Sequence, residues 1–583
     1  MGKYIILLLI VILSAATSSA GEASNSPSSS TSGTADDERS DQMFAGSTAF
    51  PARYTDNEPF ASAIARAERT SDWKGHVTGL IVPHHLLAAE YIARGFRSVD
   101  QNKIDNVVIL FPDHFKKTYL PFATTKREFE TVFGTVQTNA DFAGRLLAEA
   151  DIVQDSDLFA QDHGIGAILP FVKYYLPKAK VVPVAVAIRS KRVDWDHLVA
   201  AIEPLLTPGT LIVQSTDFSH YLPLAAAVKR DQETLNVLAA GDPDAAAALL
   251  QPANTDSRGA LYIQMKLQAD IFHATPWVIA NDNSQIYSDV PQSRTTSHML
   301  AVYQPDSSDS VGQDSKDSDV YCFAGDTFFG RYIETALANP AAEQRLLRET
   351  KRFLGHCPLI VNLEGVVLHR MPHHLRPPLL GMKDNLTIRW LHSLGVVAVG
   401  LANNHVHDFG MDAFRKMTGR LRRSGLIVLH PGKATKVGRL SVVALTDLDN
   451  FSRMSSGVIC SKELKALARR RFERYVAFIH WGVERQSTPT ARQLRLTTKL
   501  AEAGVGLIVG AHSHTRSLTL VLSGEAHHVL TAYSLGNLVF DQTSRFASGA
   551  ILETRVFKQG TMFSRLVPIP NYFDLMRQTV SKR

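Results

Sequence analysis

The stretch VVAVGLANNHVHD, residues 396–408, decides how the second half of this chain is read. Its apolar run, 396–401, is short and valine-rich, as a strand buried on both faces requires. The run stops at a polar cluster, Asn403-Asn404-His405-Val406-His407-Asp408. Five more runs end in the same way. Residues 321–324 lead to Gly325-Asp326, and 359–361 to Asn362-Leu363-Glu364. Residues 475–479 lead to His480-Trp481-Gly482, 505–509 to Gly510-Ala511-His512-Ser513-His514, and 529–532 to Tyr533-Ser534-Leu535-Gly536-Asn537. An ordered series of Asp, Glu, Asn and His at strand ends, with no thiolate, is an oxygen and nitrogen ligand set suited to Mn, Fe or Zn. A pair of such ions serves the hydrolysis of anionic esters.

The rest of the chain sets the frame. Its 583 residues exceed one compact core, and 45% hydrophobic with 20% charged residues exclude a disordered chain. A mean hydropathy of −0.05 argues against a polytopic membrane protein. The net charge of +6 is mild for this length; it allows an anionic surface as partner and gives no reason to expect nucleic acid. Three cysteines, Cys322, Cys357 and Cys460, are too few for a disulfide framework or a cysteine-rich zinc site. Lys3, the apolar run 4–13 and the small residues up to Ala20 read as a secretory signal at 1–20. The Ser/Thr/Gly/Asp-rich stretch 21–42 reads as a flexible tether. The expected location is therefore extracytoplasmic, periplasmic or secreted. The alternative is an uncleaved N-terminal anchor, the only route to a membrane.

Residues 305–319, rich in Ser and Asp, divide two blocks of similar size, 43–304 and 320–583. Such a linker sets no geometry between them. Both blocks alternate short apolar runs with helical patterns, so an α/β architecture is expected for each. In the first block the runs 77–82, 107–111 and 211–213 lead to His84-His85, Asp113-His114 and Asp217-Phe218-Ser219-His220. A fourth cluster, Asp162-His163-Gly164, precedes a helical pattern. Ligand sites gather at the carboxyl ends of parallel strands, so these histidines either converge on one metal or are separate surface and core residues. Arg420, Arg422 and Arg423, with Arg469, Arg470, Arg471 and Arg474, read as solvated helix faces or as a surface for an anionic polymer. His373-His374 and His527-His528 read as surface residues.

Two resemblances follow. The series VPHH, FPDH, QDHGIGAILPF and STDFSHY over 43–304 resembles the Memo family, also called AmmeMemoRadiSam system protein B. That resemblance implies an extradiol-dioxygenase-like α/β domain and a site formed by His84, His114, His163 and His220, with His84 and His114 the foremost ligands. Family members offer a cysteine as third ligand where this chain reads Asp256. Asp256 either restores a two-histidine, one-carboxylate triad for iron or copper or marks a site that no longer binds metal. The motifs GDTFFGR, NLEG, LANNHVHDFG, HWGVE, GAHSHT and YSLGNLVFDQ over 320–545 resemble the CapA family of capsule and poly-gamma-glutamate synthesis. That resemblance implies a calcineurin-like metallophosphoesterase fold, an αββα sandwich. It also implies Asp326, Glu364 and His514 on one metal, with Glu364 bridging, and Asn404, His480 and His512 on the other. His405 is the implied general acid. The calcineurin-like pattern carries a histidine where Phe328 stands, so the first ion is expected to be weakly held.

The function expected is metal-dependent hydrolysis of a phosphoester or related bond in cell-envelope or capsular polymer metabolism. Two alternatives stand beside it: non-catalytic binding and export of an anionic polymer, and oxidative chemistry in the first block. Neither the substrate nor the oligomeric state is legible.

Overall fold

The structure, a computed structural model, describes residues 48–70, 76–149, 151–305, 318–354, 357–374, 378–448, 475–524, 528–542 and 547–581. The expected signal (1–20), the tether (21–42) and nearly all of the linker (305–319) lie outside the described residues, as do Cys460, Arg469, Arg470, Arg471, Arg474 and His527. Among the described residues no helix is long and apolar enough to cross a membrane.

The first half is built on one nine-stranded sheet. Its strands are β1 (Gly79–Val82), β2 (Asn106–Pro112), β3 (Phe122–Thr124), β4 (Val153–Asp155), β5 (Lys180–Val186), β6 (Thr210–Ser215), β7 (His220–Leu222), β8 (Ala274–Asn283) and β9 (Thr295–Pro305). The order is β8-β9-β1-β6-β2-β5-β3-β4, with β7 paired to β9. The central four, β1, β6, β2 and β5, run parallel. Runs such as Val107-Val108-Ile109-Leu110 are buried throughout, which is what a strand covered by helices on both faces demands. Because β1, β6 and β2 are adjacent and parallel, the residues that follow them share one edge of the sheet.

The second half is a sandwich of two mixed sheets. Its strands are β10 (Ser318–Thr327), β11 (Leu359–Leu363), β12 (Val396–Gly400), β13 (Ile427–Leu429), β14 (Ala434–Val437), β15 (Leu440–Thr446), β16 (Tyr475–His480), β17 (Val505–Ala511), β18 (Val521–Ser523), β19 (Val529–Ala532), β20 (Asn537–Val539), β21 (Gly549–Phe557) and β22 (Met562–Ile569). One sheet runs β13-β12-β11-β10-β21-β22, with β20 beside β10; the other runs β14-β15-β16-β17-β19-β18. Between them Phe323 and Phe478 meet edge to face at 5.8 Å, in a layer shared with Ile360, Val442 and Val509. On the outer face of the first sheet pack Leu346, Trp390 and Met417, from the helices Pro340–Leu354, Asp384–Ser393 and Gly410–Arg423. Leu496 and Leu500 of the helix Ala491–Glu502 cover the second. The four-layer architecture is the one the resemblance to the CapA family implied.

Two local features hold the ligand-bearing strands in place. A Cβ on Gly325 would stand 2.0 Å from the carbonyl oxygen of Gly536, so only glycine lets these two segments close up beside Asp326. Cys322 of β10 and Cys357, just ahead of β11, form a disulfide with Cα atoms 5.8 Å apart. The cysteine count alone did not reveal that pairing.

From Thr48 onward the chain packs as one compact unit. Phe557 and Phe563 of the second half belong to the hydrophobic core of the first. Trp277 of β8 packs against Phe563, with ring centroids 5.6 Å apart, and lies under the guanidinium groups of Arg555 and Arg565 at 5.0 and 4.1 Å. Gln232, on the helix Leu224–Ala240, donates to Met562 O at 2.7 Å and accepts from Met562 N at 2.8 Å. The geometry that the linker leaves open is thus provided by side-chain packing between the halves.

Candidate metal centres

In the second half the strand ends bring two ligand groups together. Atoms of Asp326, Glu364 and His514 lie within 4.8 Å of one another, as do atoms of Glu364, His480 and His512. Glu364 belongs to both. Asn404 joins the second group, its Oδ1 2.8 Å from His480 Nε2. His512 Nδ1 stands 3.1 Å from the same nitrogen. His405 sits beside them, half-buried, with Nε2 3.9 Å from Glu364 Oε1 and Nδ1 on Asp408 Oδ2 at 2.9 Å. Phe328 occupies a fully buried position, its ring against Phe540 at 5.4 Å.

Burial and close charges shift the titratable groups of this cluster in opposite directions. Burial, with Asp326 close by, pushes the Glu364 carboxyl well above the usual range, and its Oε2 is buried with no hydrogen-bond partner. Burial acts the same way on Asp326, but hydrogen bonds to His480 and His514 override it and hold that carboxyl low. His514, despite burial, is raised to about 9 by Glu364 and Asp326, while burial and His480 push His512 down to about 2. Backbone strain adds to this picture: His512 and His514 adopt φ of +98° and +56°, a region non-glycine residues enter at a cost of order 1–3 kcal/mol and mostly at functional sites. Neighbouring carboxylates, the imidazoles of His480 and His512 kept neutral by burial, and one orphaned oxygen fit divalent cations.

In the first half, His84, His114 and His163 follow β1, follow β2 and open the helix His163–Gly166. Their ligand atoms lie within 4.8 Å of one another. His84 Nδ1 faces Ser215 O at 3.3 Å, which leaves Nε2 3.3 Å from Asp256 Oδ2. His114 Nδ1 is held by Asp162 at 2.8 Å, with its Nε2 4.0 Å from the same Asp256 oxygen. Carboxylate and carbonyl partners of this kind orient an imidazole toward a metal. Burial pushes His84 down to about 3, His163 down to about 4 and the Asp256 carboxyl well up. Asp256 Oδ1 is buried without a partner, so this set too fits a cation. His220 stands outside the three-imidazole group, its Nδ1 2.5 Å from Phe218 O.

Several side chains at these centres had no role assigned from the sequence. Asn362 Nδ2 donates to Asp326 Oδ1 at 2.8 Å and lies 3.1 Å from His480 Nδ1. Asn537 Oδ1 stands 2.8 Å from His514 Nδ1, and Asp162 holds His114. Asn362 and Asp162 sit inside the same motifs as candidate ligands, and Asn537 inside the motif YSLGNLVFDQ, which was the available signal. His298 carried no such signal: it lies on β9, far from any motif, yet it meets His85 and Asp217.

Fold and ligand groups together define a two-domain α/β protein with a metal-competent cluster in each half. Residues 45–280 match the family described as Memo-like protein, and residues 320–436 and 445–542 match bacterial capsule synthesis protein PGA_cap. The chain is therefore similar to the Memo-like family over its first half and to the PGA_cap family over its second. It is 23% identical over 270 residues to the PGA biosynthesis protein CapA of Bacillus subtilis, covering 42% of this chain and 70% of that protein. A MEMO1 family protein of Methanococcus maripaludis is 31% identical over 166 residues, covering 26% of this chain and 57% of the relative. The capsule biosynthesis protein CapA of Bacillus anthracis is 26% identical over 212 residues, covering 31% and 50%. The chain thus spans about half of the length of the last two relatives.

Proposed function

We propose that this is an exported protein of cell-envelope or capsular polymer metabolism whose second half is a metal-dependent hydrolase of a phosphoester or related bond. The observation that carries this reading is Glu364, shared by two ligand groups and left with one buried, unpartnered oxygen. Asp326, Glu364 and His514 would hold one ion of Mn, Fe or Zn, and Glu364, Asn404, His480 and His512 the other. Such a pair supplies positive charge for an anionic ester and acidifies a water. His405, its ring set by Asp408, delivers a proton to the leaving oxygen. Export is supported by the N-terminal sequence and by the Cys322–Cys357 disulfide, a bond that persists outside reducing compartments. The partner would be an anionic envelope polymer of the poly-gamma-glutamate type or a phosphoester, met outside the cytoplasm.

Phe328 favours a second reading, in which the first ion is weakly held and the domain grips an anionic polymer without cleaving it. In the first half, the approach of Asp256 to His84 and His114 supports an iron or copper site with oxidative chemistry as a further role. Elemental mass spectrometry of the purified full chain, paired with a phosphoester screen, separates these readings. Hydrolysis, with about two ions per chain lost in a His512→Ala/His514→Ala variant, supports the hydrolase. Bound ions without hydrolysis of any substrate favour the polymer binder, and no ions at this centre after reconstitution overturn the hydrolase.

A further inference from the structure

Next to the three-imidazole group of the first half lies a second convergence of ligand atoms that the proposed function does not use. His85 Nδ1 and His298 Nε2 stand 3.2 Å apart, and an oxygen of Asp217 completes a set within 4.8 Å. Two imidazole nitrogens bound at about 2.0–2.1 Å to a tetrahedral ion are separated by roughly 3.3 Å, so this spacing is that of neighbouring ligands. His298 is completely buried, and its other nitrogen faces Asp282 Oδ1 at 3.2 Å. Asp282 Oδ2 in turn accepts the hydroxyl of Tyr91 at 2.8 Å. This Tyr–Asp–His chain is the outer support that fixes a metal-binding imidazole, and it leaves Nε2 aimed at His85. His85 is half-buried, so the set is open to solvent on one side. Asp217 stands between the two groups: its Oδ2 is 3.6 Å from His84 Nε2, and its Oδ1 accepts the His84 N–H at 3.3 Å.

We propose that His85, Asp217 and His298 hold a second divalent cation of the zinc, iron or copper class, adjacent to the His84/His114/His163/Asp256 site and facing it across Asp217. The first half is then a dinuclear centre, independent of the ions held at Glu364. The competing arrangement is a His85–His298 pair that shares a proton and binds no ion.

The test is the zinc content of the full chain after loading with Zn²⁺ and dialysis, for wild type, His85→Ala and His298→Asn. Asparagine keeps a donor toward Asp282 and removes Nε2, so it tests the ligand with little disturbance of the buried site. Each variant is expected to hold one zinc fewer per chain than wild type. A His512→Ala/His514→Ala variant reports the other half separately. Anomalous diffraction from zinc-loaded wild-type crystals decides the matter if a variant fails to fold: a peak bonded to both His85 Nδ1 and His298 Nε2 is expected. Unchanged stoichiometry in both folded variants, or no peak there, overturns the proposal.

Discussion

At the scale of the residue, the centres are defined by which atom of each side chain is tied and which is left open. Asp408 holds Nδ1 of His405, so the free nitrogen of that ring looks toward Glu364. If His405 protonates the leaving oxygen, His405→Ala lowers kcat by about 10²–10⁴-fold while metal content stays at the wild-type level. Steady-state kinetics beside elemental analysis check both halves of that statement. Asp231 makes a different prediction. It is fully buried, accepts from Ser219 Oγ at 2.6 Å, and burial raises its pKa to about 6. The folded state therefore keeps a proton that the unfolded chain loses near its ordinary pKa of about 4. Between pH 4 and 6 the folded state binds more protons, so this group's contribution falls as pH rises, by on the order of 3 kcal/mol in all. Asp231→Asn removes that fall, as denaturant unfolding at pH 4 and pH 7 will show. Asp326, Glu364, His480, His512 and His514 stood out in the sequence as candidate ligands because each lies within five residues of the end of an apolar run. His298 was not, because nothing local to β9 says what faces it across the sheet.

At the scale of the element, strand order does the assembling. The buried β1, β6 and β2 are neighbours, so the loops behind them bring His84, Asp217 and His114 to one edge. Their valine and isoleucine runs announced buried strands, but the order in which those strands pair depends on contacts distant in sequence. The Cys322–Cys357 link belongs to this scale. It ties β10, which carries Asp326, to the segment entering β11, which leads to Glu364, across a separation of 35 residues. Closing a loop of that length corresponds to roughly 4 kcal/mol of unfolded-state entropy. The Cys322→Ala/Cys357→Ala variant should unfold at correspondingly lower denaturant, with its secondary structure retained in water. Three cysteines read as a count suggested no framework; only the pairing of β10 with β11 shows that two of them meet.

At the scale of the molecule, the two halves are joined by more than the connector at 305–319. Trp277 is nearly fully buried between Phe563, Arg555 and Arg565, and Gln232 pairs with the backbone of Met562. Trp277→Ala removes the central piece of that interface and should cost about 3–5 kcal/mol. Calorimetry should then show a single unfolding transition in wild type split into two. A Ser/Asp-rich stretch carries no information about this docking, since the contacts come from strands and helices far from it. By itself the sequence determined the α/β class and set most of the candidate ligands near the ends of apolar runs, because hydrophobic period and polar punctuation are local signals, and its motifs carried the resemblance to the two families. Only the tertiary structure decided that Glu364 stands in both ligand groups, that Asp256 reaches His84 and His114, that His85 and His298 meet, and that the halves pack together. Each of these is a distance between residues remote in the chain, set by strand order and packing and not by any neighbouring residue.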